Sequence, residues 1–97
     1  MSNAPDNHRN AARAATNYLA RMDYRRGQVT ARVIDMSMTG ARLATHEQIA
    51  IGEKVVLTTV RMGMRSGIVV RFADGELGVC FTDEIAEAHK ARMAAAV

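Results

Sequence analysis

Tryptophan is absent from this sequence, and two tyrosines and two phenylalanines are its only aromatic residues. The core must therefore be built from Val, Ile, Leu, Ala and Met. The same scarcity argues against a nucleic-acid surface, because single-strand binders stack bases on aromatic rings. One cysteine excludes an internal disulfide, which fits a reducing cytoplasm. No apolar run approaches the ~20 residues of a membrane span. None near the N-terminus could serve as the core of a secretory signal. A cytoplasmic domain without a membrane partner is therefore expected.

Reactive chemistry is equally sparse. His8, His46, His89 and Cys80 show no metal-ligand spacing, so no metal is expected. Ser37 lacks the glycine two residues earlier that a hydrolase elbow carries. No glycine-rich phosphate loop of the Walker kind is present. Cys80, between Val79 and Phe81 in a buried-looking strand, reads as core packing or a quiet thiol. No enzyme and no cofactor are expected.

What the sequence does have is arginine, unevenly placed. Residues 1–42 hold seven arginines and three acids, whereas residues 43–97 hold six basic and seven acidic side chains. Eleven of the 13 basic residues are Arg, which suits planar, bidentate recognition of phosphate or a guanine edge.

The 97 residues suffice for one domain. Residues 1–14 are polar, hold the only proline, and read as a flexible arm bearing Arg9 and Arg13. Residues 15–97 read as the folded domain. Strands are predicted over 16–24, 28–35, 41–45, 54–61, 65–73 and 76–82, from β-branched content and alternation. Arg25-Arg26-Gly27 and Asp74-Gly75 read as tight hairpin turns, and Met62-Gly63-Met64 as a hairpin tip. Residues 83–96 read as a helix capped by Thr82 or Asp83, with Ile85, Ala88 or His89, and Met93 as its apolar stripe. Six short strands and a terminal helix predict an all-β fold: a small six-stranded antiparallel β-barrel with a C-terminal α-helix.

One stretch organises the rest. Asp35-Met36-Ser37-Met38-Thr39-Gly40 is preceded by Arg9 and Arg13, four apart, with 21 residues between Arg13 and Asp35. DxSxxG alone is ordinary turn chemistry, since Asp, Ser and Gly are what a β-turn wants. RxxxR alone is weaker still, and Arg21 to Arg25 supplies a second copy only nine residues before Asp35. The combination at this spacing, with Gly67 and the Gly78-Val79-Cys80-Phe81 pattern, resembles the PilZ family over roughly residues 8 to 90. That resemblance implies a bacterial six-stranded barrel with a C-terminal helix, and a receptor for the second messenger cyclic di-GMP.

The implied site is Arg9, Arg13, Asp35, Ser37 and Gly40. The arginines would hold phosphate oxygens, guanine Hoogsteen edges or a base face. Asp35 would accept from a guanine or hold an arginine in place, and Ser37 would donate and accept. Gly40 would let backbone pass close to the ligand or take a left-handed turn conformation. The arm would order on binding and signal to an effector protein. His8 stands where relatives often carry a further arginine, which leaves open an interaction module that no longer binds the nucleotide. Arg71 lies where some relatives place a ligand contact, but reads first as a solvated strand residue.

Overall fold

In the computed structural model of the protein, residues 13–15 and 18–95 are described, the first three by backbone alone. The elements are β1 (Arg13–Ala15), β2 (Leu19–Tyr24), β3 (Gly27–Ser37), β4 (Gly40–Ala44), β5 (Lys54–Thr59), β6 (Gly63–Ala73), β7 (Glu76–Phe81) and α1 (Glu84–Ala95). All pairings are antiparallel, in the order β1-β3-β2-β5-β6-β7-β4. A further β3–β4 ladder closes β2 to β7 into a six-stranded barrel. Closure removes the free edges that an open sheet of this size would expose. β1 lies outside the ring, against the end of β3.

Local chemistry sets the corners. Asp74 and Gly75 both take positive φ (55° and 74°), the mirror-image turn whose twist suits a hairpin. Gly63 (φ 68°) ends the turn of residues 60–62, so Met64 belongs to the strand and not to a hairpin tip. β3 and β6, 11 residues each, are long enough to pair with one neighbour along one half and another along the other.

The barrel interior is aliphatic, as the missing aromatics require. Met22, Val33, Leu43, Leu57, Val69, Leu77 and Phe81 are fully buried. They come from alternate positions of the strands, the period-2 pattern of a sheet with one face inward. A charged group is packed with them: Arg65 is only 2% exposed, with its guanidinium 4.1 Å from the Phe81 ring centre.

The helix departs from its predicted stripe. Ile85 and Met93 are exposed, and Ala86 is the buried residue of α1. The cause is the entry angle. Asp83 Oδ1 accepts the Ala86 amide at 3.0 Å, and this cap turns Ala86, not Ile85, onto the barrel. Cys80 also differs from its reading as a core thiol. It alternates with the inward Val79 and Phe81, is half-buried, and lies 3.5 Å from Lys90 Nζ.

Candidate ligand-binding site

Strict alternation along β3 would put Asp35 inside with Ala31 and Val33. A register shift between Val33 and Asp35 inserts one residue, so Asp35 leaves the core face and Met36 takes the inward place. β6 repeats the device. A shift between Val69 and Arg71 moves Arg71 off the inward parity of Arg65, Gly67 and Val69, and Arg71 is exposed. Two bulges on two strands thus deliver one carboxylate and one guanidinium to the same outer surface.

The ladders line these residues up. Ala15 pairs with Asp35, Asp35 with Arg42, Arg42 with Gly78, and Gly78 with Arg71. Gly78 leaves a trough between Arg42 and Arg71. A Cβ added there would come within 3.2 Å of the Arg71 Cβ. The trough belongs to an open groove of about 550 Å³ that also takes in Asp74, Glu76 and Val70. This is the size of a small-molecule site.

Arg42 links two of its carboxylates. Arg42 Nη2 donates to Asp35 Oδ2 at 2.7 Å, and Arg42 Nη1 lies 3.7 Å from Glu76 Oε1. The Asp35 side chain is 10% exposed and that of Arg42 48%, so the carboxylate is the sheltered partner.

Beyond Asp35 the chain turns. The Thr39 amide donates to Ser37 Oγ at 3.3 Å, and that hydroxyl lies 3.4 Å from the Gly40 carbonyl. The Phe81 amide donates to the Thr39 carbonyl at 2.8 Å and fixes the turn to the end of β7. Gly40 does not take the left-handed backbone. A Cβ at Gly40 would fall 2.6 Å from the Val79 carbonyl oxygen, so glycine is needed for the close approach of β4 to β7.

The sequence model of the PilZ domain matches residues 7–97. The chain belongs to the PilZ domain family. No curated protein sequence matches it. A crystal structure of the PilZ domain of CeSA from a cellulose-synthesizing bacterium superposes with a TM-score of 0.63. The match is 20% identical and covers 84% of this chain and 92% of that one, a likeness in fold. PilZ domains are in general non-enzymatic cyclic di-GMP receptor modules.

The PilZ signature residues fall as follows. Asp35 lines the groove, and Ser37 and Gly40 lie on the turn beside it. Arg13 is paired through its backbone with Ser37, so β1 brings the second arginine of RxxxR to the DxSxxG turn. Arg9 lies outside the described residues. β1 takes in Arg13 and Ala14, the last two residues of the predicted arm.

Arg42, which the sequence reading does not single out, joins Asp35 at the groove, and Arg71 is exposed at its edge, as a solvated strand residue would be. The signal for Arg42 was available: it stands two residues after Gly40, at the outward position of a strand that begins there. For Arg71 the resemblance already points to this position, and the bulge between Val69 and Arg71 is the physical reason it faces outward.

Among the described residues no group of His, Cys, Asp and Glu side chains could hold a metal ion. None of their helices is long and apolar enough to cross a membrane.

Proposed function

We propose that this PilZ domain is a cytoplasmic receptor for cyclic di-GMP that binds the dinucleotide in the groove flanked by Asp35, Arg42 and Arg71, with Arg9 and Arg13 closing over it. The observation that carries this reading is the pairing of Arg13 with Ser37. It joins two motifs 21 residues apart in sequence at one place on the barrel.

The charges give the arm its task. The groove itself holds two guanidiniums, Arg42 and Arg71, against three carboxylates, Asp35, Asp74 and Glu76. A dianionic ligand needs more cations than that, and Arg9 and Arg13 would supply them. Guanine offers O6 and N7 to an arginine fork and its N–H groups to a carboxylate. In this reading ligand binding orders the arm, and the ordered arm is what an effector protein detects.

Calorimetric titration with cyclic di-GMP tests the proposal. Binding by the wild type is expected, with a loss of about ten- to a hundredfold in affinity for Arg9→Ala and for Arg13→Ala. Both variants should keep the wild-type melting temperature. A folded wild type that releases no heat would leave the second reading, an interaction module without the nucleotide, which His8 before the arginine pair favours.

A further inference from the structure

We propose that Arg65 couples the Ser37–Gly40 turn to helix α1, so that ligand occupancy at the turn alters how firmly the helix is anchored. The inference rests on the reading of that turn as part of the ligand site, and names the output element.

Four contacts carry it. Arg65 Nε lies 2.5 Å from Asp83 Oδ2, and Nη2 lies 3.1 Å from Asp83 Oδ1. The same Nη2 donates to the Met38 carbonyl at 3.1 Å. Asp83 Oδ1 in turn accepts the Ala86 amide at 3.0 Å. A continuous path therefore runs from the backbone of the turn, through one buried guanidinium, to the cap of the helix. Nη2 carries two hydrogens and can serve both acceptors at once, which the single ammonium of a lysine could not do in this fork geometry. Phe81 packs against the guanidinium and shields the path from water.

The far end of the path is poised to respond. α1 has 12 residues, marginal for a helix without tertiary support. Ala86 is its buried residue, and residues 91–95 are all exposed. The Asp83 cap and the Ala86 contact hold the first turn of the helix to the barrel, and Lys90 Nζ, 3.5 Å from Cys80 Sγ, touches it farther along. A ligand that shifts the Met38 carbonyl changes one of the three hydrogen bonds of Arg65, and so the balance of its grip on Asp83.

Amide hydrogen exchange tests the coupling, with Asp83→Ser as the main variant, because serine keeps a capping oxygen but cannot pair with Arg65. In the wild type, saturating cyclic di-GMP should change exchange in the first turns of α1 by about threefold or more. In Asp83→Ser the ligand should still bind and the helix should no longer respond. Unchanged α1 exchange in a wild type that binds by calorimetry would overturn the coupling while leaving the receptor reading intact, as would a response that persists in Asp83→Ser. A ligand-free arm separates the two readings further. Asp83→Ser should shift the amide resonances of Met38, Thr39 and Gly40 in the unliganded protein, and resonances that stay put would overturn the coupling whatever the ligand does. A wild type that releases no heat with cyclic di-GMP overturns the receptor reading, and with it any transmission of ligand occupancy.

Discussion

Arg42 donates to the Asp35 carboxylate at 2.7 Å across the β3–β4 ladder, so the aspartate of the DxSxxG motif is held by an arginine outside both signature motifs. The pair is half in solvent on the Arg42 side, which keeps its worth to folding at about 1 kcal/mol or less. Arg42→Ala should therefore leave urea stability nearly unchanged. It should weaken cyclic di-GMP binding by about tenfold, because the groove loses a cation and Asp35 a partner that orients it. Equal affinity for variant and wild type would remove Arg42 from the site.

Gly78 forms the floor between Arg42 and Arg71. Gly78→Leu fills that floor from the outer face of the barrel, where the 3.2 Å approach to the Arg71 Cβ can relax. Stability should change by about 1 kcal/mol or less, since a larger side chain also favours the strand. Affinity for the dinucleotide should fall by about tenfold or more. Urea unfolding and calorimetry on one preparation separate the two effects.

Gly40→Ala should act the other way round. The added Cβ meets the Val79 carbonyl at 2.6 Å, a backbone atom that cannot swing aside. The β4–β7 ladder must shift, at a cost of about 1–3 kcal/mol. The variant should lose stability in urea before any effect on the ligand is considered. A melting temperature equal to wild type would contradict this packing role.

The Arg65 hydrogen bonds hold the Asp83 carboxyl below the usual carboxylate range, against an opposing effect of burial. The folded state therefore binds this proton less readily than the unfolded state. The stabilisation is fully present above the unfolded value of ~3.9 and is lost as pH falls through the lower folded value. Asp83→Asn keeps a capping oxygen but cannot titrate. It should be less stable than wild type by about 2 kcal/mol at neutral pH, with the gap narrowing below pH ~4. Urea midpoints measured across acidic pH check this, and a gap that does not narrow would assign the acid sensitivity to other groups.

Much of the barrel could be read before its coordinates. Ala20, Met22, Ala31 and Val33 are inward as alternation requires, and the Asp74-Gly75 turn has the two positive φ angles that the dipeptide implies. What the sequence does not reveal has one cause, which is that local pattern does not register where a third element lands. Asp35 and Arg71 owe their outward placement to single-residue insertions that leave no trace in a hydrophobicity count. Ile85 and Met93 look like a helical stripe, but the Asp83 cap decides which face meets the barrel. Arg65 reads as one of many arginines, and only closure of the barrel shows that Asp83 and the Met38 carbonyl converge on it. Gly40 reads as a residue that lets backbone pass close to a ligand or takes a left-handed turn, whereas its backbone is not left-handed and its lack of a Cβ serves the close approach of β7.

The central claim is that the dinucleotide lies across the β3–β4–β7–β6 surface under the arginine arm. Titration of the isotope-labelled protein with cyclic di-GMP, followed by backbone amide resonances, tests it most directly. The account predicts that the shifts concentrate at Arg13, Asp35, Ser37 to Gly40, Arg42, Gly78 and Arg71. Shifts gathered instead on the β2–β5 side of the barrel, or none at saturating ligand, would contradict it.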